Sequence, residues 1–128
     1  MPSNVWFVTF DCADPRRVAE FWATVLSYEI RAPNEDAGEV LLEDPRGEGP
    51  SLGFMKVPEG KVVKNRVHLD LKPDVPLEEE VDRLEAAGAR TIETLQDPEG
   101  FVDPVIWTVM QDPEGNEFCV IQPLSERA

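Results

Sequence analysis

Asp112-Pro113-Glu114-Gly115-Asn116-Glu117-Phe118-Cys119-Val120 is the stretch around which the rest of the chain is read. Asp-Pro-x-Gly is a turn with a physical mechanism: proline pre-sets φ at the first corner, aspartate can bond the local backbone, and glycine takes an angle that other residues resist. The next residues, Glu117 to Ile121, have strand composition, so the turn delivers Glu117 at the mouth of a strand. An earlier unit has the same form. Asp44-Pro45-Arg46-Gly47 leads into an apolar run to Met55 that closes on Val57-Pro58, much as the later run closes on Gln122-Pro123. The two turns stand half the chain apart, which suggests a duplicated design. A third copy, Asp97-Pro98-Glu99-Gly100, falls outside that spacing, so the tetrapeptide alone marks only a turn.

Around these turns, each half reads strand, helix, strand, strand, strand. Val5–Cys12 predicts a strand with Val5, Phe7, Thr9 and Asp11 on one face and Trp6, Val8, Phe10 and Cys12 on the other. Asp14 then caps a helix that has Pro15 at its first position. Val18, Phe21, Trp22, Val25 and Leu26 form its apolar stripe. Short strands are expected over Tyr28–Ala32, Val40–Glu43 and Leu52–Val57, and Pro58 with Glu59-Gly60-Lys61 reads as a connector. The second half starts with Asn65–Leu71, where Val67, Leu69 and Leu71 alternate with Arg66, His68 and Asp70. The next element is a helix over Leu77–Ala87, with Glu78, Glu79 and Glu80 in its first turn, Gly88 as its stop, and Leu77, Val81, Leu84 and Gly88 as its stripe. Arg90–Leu95, Val105–Met110 and Glu117–Ile121 are the remaining strands, with a turn-rich loop over Gln96–Pro104 of the kind that borders binding sites. The repeat predicts an α+β fold of two βαβββ modules, about 5–58 and 65–123, within a single domain over 1–128. One helix covers a face of each sheet, and the opposite faces are left to form a concavity.

Composition bounds the partners. The chain has 128 residues, enough for a core without disulfides, with 41% hydrophobic and 30% charged residues. Its formal net charge of −14 repels phosphate backbones and anionic lipid, so neither nucleic acid nor membrane is an expected partner. The same charge favours a cationic small molecule, although solubility alone also accounts for it. Cys12 and Cys119 make no disulfide framework. With no basic, apolar leader in Met1–Phe10, they are expected to be reduced thiols of a cytoplasmic protein.

Several of these pieces together resemble a known family. Asp14-Pro15 with Phe21-Trp22 and Leu26-Ser27-Tyr28, His68-Leu69-Asp70-Leu71, and Asp112-Pro113-Glu114-Gly115-Asn116-Glu117 are similar in order and spacing to the glyoxalase/bleomycin-resistance/extradiol-dioxygenase group, the vicinal oxygen chelate superfamily. The resemblance runs from about Val5 to Pro123 and is closest to the small glyoxalase-like members. It implies cup-shaped mixed sheets enclosing a pocket and a homodimer. In enzymatic members it also implies a divalent metal held from the first strand of each module and from the last strand. His68 matches the second-module position. The first-module position falls on Phe7 or Thr9, neither a useful ligand, and the last-strand position falls on Cys119, with Glu117 on the same face two residues earlier. His68 with Glu117, or His68 with Cys119, is one protein ligand short. No cofactor is therefore expected and no metal residue assigned, while a divalent metal stays compatible with those pairs.

The candidate residues each carry two readings. His68, the sole histidine, is either a general base or a hydrogen-bonded wall residue, and Asp70 either lines the site or pairs with Arg66. Glu117 is either a base or a carboxylate tied to backbone N–H groups at the turn or strand entrance. Cys119 reads better as a small hydrophobe than as a nucleophile. Phe7, Phe54, Met55, Trp107 and Val109 are candidates for apolar pocket lining, with Trp107 preferred, and Trp6 and Trp22 are expected in the core. The expectation is a protein that binds a small, partly aromatic or cationic molecule through Phe7, Thr9, Phe54, Arg66, Asp70, Trp107 and Cys119. The alternative is a lyase or isomerase in which His68 or Glu117 moves a proton next to a carbonyl.

Overall fold

The computed structural model describes residues 2–34, 38–100 and 103–127, and the chain divides into two compact units, Met1–Val62 and Val63–Ala128. In the first unit β1 (Phe7–Cys12) leads into α1 (Pro15–Leu26), then β2 (Glu29–Asn34), β3 (Glu39–Glu43) and β4 (Ser51–Lys56). The sheet order is β1-β4-β3-β2, with β1 parallel to β4 and the other pairs antiparallel. The second unit repeats the plan. It has β5 (Asp70–Leu71), α2 (Leu77–Ala87), β6 (Arg90–Asp97), β7 (Val105–Gln111) and β8 (Glu117–Pro123), in sheet order β5-β8-β7-β6 with β5 parallel to β8. Two open four-stranded sheets with one helix each make the fold α+β, with two βαβββ modules.

Local chemistry explains the first unit. The Asp14 carboxylate accepts a bond from the Arg17 N–H at 3.2 Å, capping α1, while Pro15 fills a position whose N–H would be unsatisfied anyway. Val18, Phe21, Trp22 and Val25 are buried along one stripe. Leu52 and Phe54 of β4 are buried too, and the Phe10 ring lies 5.4 Å from Trp22 and 5.1 Å from Phe54. α1 ends on Ser27, which takes a left-handed φ of 56° so that the Tyr28 N–H can reach the Ala23 carbonyl.

In the second unit α2 has no side-chain cap of its own at Pro76. Buried Gln122 of β8 supplies one, accepting from the Leu77 N–H at 3.3 Å while its amide donates to the Val75 carbonyl. Leu77 and Leu84 are buried as the stripe requires. Glu80 is also buried, its charge satisfied by a two-pronged pair with Arg83 at 2.7 and 2.9 Å. The founding turn forms as its chemistry dictates. The Asp112 carboxylate is buried and accepts from the Glu114 and Asn116 backbone N–H groups, and Gly115 takes φ 85°.

Several expectations need correction. The strand expected over Asn65–Leu71 is a ladder only at Asp70–Leu71, because the Asn65 N–H donates to the Glu117 side chain instead of a neighbouring strand; Val67 stays 82% exposed. β1 starts at Phe7, not Val5. Trp6 is 74% exposed and lies against the Phe7 ring at 4.8 Å rather than under α1, since it precedes the ladder that would press it onto the core. Phe54 is fully buried: in strand alternation it falls with Leu52 in the aromatic core, outside the lining of the cavity described below. The expected loop Gln96–Pro104 is partly strand, since β6 runs on to Asp97, and its residues 101 and 102 lie outside the described residues.

Candidate functional site

The register of the second sheet builds the site. Along β7, Ile106, Thr108 and Met110 are buried, while Val105, Trp107 and Val109 on the other face are half-buried. In β8 Phe118, Val120 and Gln122 belong to the buried set, and Glu117, Cys119 and Ile121 to the opposite face. The ladder sets Trp107 opposite Ile121, Val109 opposite Cys119, and Asp70 of β5 opposite Cys119 on its other side. Val105, Trp107, Val109, Cys119 and Ile121 thus form an apolar floor to a cavity of about 410 Å³. Its rim carries Lys64, His68, Asp70, Asp97 and Glu117. A cavity with an apolar aromatic base and a few convergent polar groups has the make-up of a small-molecule site.

His68 and Asp70 sit two residues apart, on one face. The imidazole Nδ1 lies 3.0 Å from the Asp70 carboxylate, so Asp70 pairs with His68 rather than with Arg66, and both side chains keep substantial exposure, 37% and 43%. Arg66 is exposed and lies outside the cavity lining. Cys119 is 7% exposed, and its thiol is pushed up to about 11, first by burial and then by the neighbouring Asp70 charge and its hydrogen bond, with Lys64 acting in the opposite direction. Burial and the Asp70 charge thus disfavour the thiolate that a nucleophile would need.

Glu117 has the backbone role weighed for it, but its partner is distant in sequence. One carboxylate oxygen accepts from the Asn65 N–H at 2.8 Å, and the Asn65 side chain donates to the Glu117 carbonyl at 3.4 Å. This two-point latch fastens the segment that carries Lys64 and His68 to the edge of β8. Nothing in the local pattern of either segment signals it. Phe7 and Thr9 belong to β1 of the first unit, on its exposed face, and are not among the residues lining this cavity.

A pair of βαβββ units with a pocket beside the first strand of one of them defines a class, the vicinal oxygen chelate fold. The chain belongs to the glyoxalase-like domain family, whose model matches residues 7–121. No curated protein sequence matches it significantly. Among solved structures it is similar to a glyoxalase/bleomycin resistance protein/dioxygenase family enzyme from Burkholderia phytofirmans, at 19% identity and TM-score 0.73 over 95% of this chain and 100% of that one. It is also similar to the fosfomycin resistance protein FosX from Listeria monocytogenes, at 15% identity and TM-score 0.74 over 100% of both chains. A glyoxalase/bleomycin resistance protein/dioxygenase from Nocardioides aligns at 15% identity and TM-score 0.74 over 99% of this chain and 87% of that one. At such identities the likeness is one of fold.

The metal implied by the family resemblance can be tested against the donors present. Among the described residues, His68, Asp70 and Cys119 offer nitrogen, oxygen and sulfur ligand atoms that all lie within 4.8 Å of one another. Ligands bound at about 2.0–2.3 Å to a tetrahedral ion stand roughly 3.3–3.8 Å apart, so side-chain rotation alone brings the three into reach. The donors fit a divalent ion, although not by the pairs expected from sequence alone: Asp70 joins the group and Glu117 is absent from it.

Proposed function

We propose that the protein binds a small, partly aromatic, cationic molecule in the cavity over Trp107, in a sequestration or resistance role. The observation that carries this reading is the union of an apolar floor with a rim holding three carboxylates, Asp70, Asp97 and Glu117, against the single lysine Lys64. Trp107 offers a π-face to an aromatic or cationic group. His68, held by Asp70, presents its remaining ring nitrogen as a directional partner. The protein acts as a cytoplasmic homodimer. Its family membership and the fosfomycin resistance proteins among its structural neighbours are consistent with this role.

A thermal-shift comparison of aromatic amines with aromatic carboxylates of equal size tests the reading. A ligand that binds the folded state alone raises the melting temperature by mass action, so amines should stabilise the native chain and lose that effect in Trp107→Ala. Equal shifts from amines and carboxylates, or shifts unchanged in Trp107→Ala, would contradict it.

The His68–Asp70 pair supports a second reading, a lyase or isomerase. A carboxylate accepting from Nδ1–H fixes the ring and leaves the far nitrogen with its lone pair, the arrangement a general base beside a carbonyl needs. In this reading His68 moves the proton, Asp70 orients it, and Glu117 acts through the latch. A divalent ion held by His68, Asp70 and Cys119 would supply Lewis-acid polarisation of a ligand oxygen.

A further inference from the structure

We propose that the cavity selects an aromatic zwitterion, with Asp97 reading an ammonium group at one end of the Trp107 floor and Lys64 reading an oxyanion at the other. The inference rests on the reading of that cavity as a site for an aromatic cation, and adds to it a second charge and the residue that recognises it.

The third Asp-Pro-x-Gly turn, Asp97-Pro98-Glu99-Gly100, supplies the first pole. Unlike Asp44 and Asp112 of the other two turns, Asp97 lines the cavity. It is the direct partner of Val105 across the β6–β7 ladder, so both side chains belong to the face that carries the floor. Its carboxylate accepts from the Glu99 N–H at 2.9 Å. That bond, with a second from the Gly100 backbone, holds the carboxyl below the usual range, so its charge is fixed in place at neutral pH.

Lys64 supplies the second pole. It lines the same cavity, and its charge is felt at the Cys119 thiol. Cys119 pairs with Val109, four residues along β7 from Val105. Strand rise therefore sets the two ends of the floor about 13 Å apart, with Trp107 midway, and the flexible lysine stem shortens the gap a ligand must bridge. At the Lys64 end the rim carboxylates already serve the fold, Asp70 beside His68 and Glu117 on the Asn65 N–H. Among the described residues Lys64 enters no ion pair, in a chain with 26 acidic and 12 basic side chains. A ligand oxyanion takes that place. An oxyanion alone meets three rim carboxylates and a net charge of −14, so it is held only when an ammonium group on the same molecule offsets the repulsion. The two charges must also stand on opposite sides of the ring that covers Trp107, because a molecule carrying both on one carbon reaches only one pole.

The test titrates the full chain with benzylamine, 4-(aminomethyl)benzoate and phenylalanine by calorimetry, with a chelator present so that no metal ion contributes. The separated zwitterion, 4-(aminomethyl)benzoate, should bind about tenfold tighter than benzylamine, the gain from one hydrogen bond between charged groups. Phenylalanine, with both charges on one carbon, should show no such gain. Lys64→Gln should remove the advantage of the separated zwitterion and leave benzylamine binding unchanged, whereas Asp97→Asn should weaken both compounds by a similar factor. Lys64 is exposed, and asparagine at position 97 keeps an oxygen to accept from the Glu99 N–H, so both variants should fold as the native chain does. Equal affinity for benzylamine and the separated zwitterion, a gain that survives Lys64→Gln, or phenylalanine binding as tightly would each overturn the inference. Benzylamine binding would then still stand, and with it the reading of the cavity as a cation site. Failure of both benzylamine and the separated zwitterion to bind would overturn that reading together with the inference.

Discussion

The two units share a plan and spend it differently. Each has a parallel pair formed by its first and last strands, and an Asp-Pro-x-Gly turn ahead of the last strand. In the first unit that pair runs for six residues, and its Phe10 and Phe54 rings stack on one another, with Trp22 of α1 against Phe10. In the second the ladder lasts two residues, and the freed segment before it is fastened by Glu117 instead. The difference lies in the residues just beyond each turn. Glu48 and Gly49 come after the first, whereas Asn116 and Glu117 come after the second, so the position of the latching Glu117 carries no side chain in the first unit. The turns themselves are equivalent. The Arg46 guanidinium beside Asp44, with the backbone N–H groups of Arg46, Gly49 and Glu48, holds that carboxyl well below the usual carboxylate range. One skeleton therefore yields a half with an aromatic core and a half with the candidate cavity, and the contrast can be tested by mutation.

The largest expected effect lies in the core of the first unit. Phe54→Ala should destabilise by about 3–5 kcal/mol, the cost of emptying an enclosed aromatic position. Trp107→Ala, at a half-buried position of the second unit, should cost less than half of that in chemical denaturation while removing ligand binding. Equal losses would erase the contrast. Next come the turns. Asp112→Ala strands two backbone N–H groups in a buried corner and should cost about 1–3 kcal/mol, again read by chemical denaturation. Asp44→Ala should act in the same direction, since both carboxylates perform the same task.

Glu117→Ala probes the contrast from the other side. It should lower stability by about 1 kcal/mol but speed amide hydrogen exchange at Asn65 and the residues up to His68, with no change in β1. Uniform exchange in both units would show that the latch holds nothing in particular.

The pH response belongs to the second unit as well. Cys119 holds its proton in the fold up to about 11, against an ordinary value of 9.0, because burial disfavours the thiolate and the Asp70 charge adds to that. A raised pKa of this kind gives stability that is fully present below pH 9 and is lost as pH rises through 11. The native chain should therefore lose stability relative to Cys119→Ser across that window, in denaturant titrations at a series of pH values. A flat difference would place the thiol in a polar setting. The smallest effect is expected at the end of α1. Ser27→Gly relieves the left-handed φ of 56° and should change stability by about 0.5 kcal/mol or less, in the stabilising direction, seen as a slight rise in Tm.

The features legible in the chain alone divide from the rest along physical lines. The helices, the turns and the doubled order were legible because each rests on local signals: Asp14-Pro15 starts α1, Gly88 ends α2, and Asp112 bonds its own turn. That Trp107 and Val109 share a face opposite to buried Thr108 and Met110 follows from strand alternation alone. The burial of Phe54 was not legible because alternation gives two faces without saying which one the helix covers. Trp6 was misplaced because composition does not show where a ladder begins. The Asn65–Glu117 latch, the Gln122 cap on α2 and the meeting of Asp70 with Cys119 join residues 45 or more positions apart, and only register brings such pairs together.

If the second unit's cavity, over Trp107 and beside His68 and Asp70, is where this protein meets a small molecule, an aromatic ammonium ion should find it. Benzylamine is a suitable probe, titrated into the native chain and followed by nuclear magnetic resonance. Shifts are expected to concentrate on the Trp107 indole, the His68 ring and the Val105 and Val109 methyl groups. Shifts centred on Phe7 and Thr9, or spread evenly over the surface, would place the binding elsewhere and contradict the assignment.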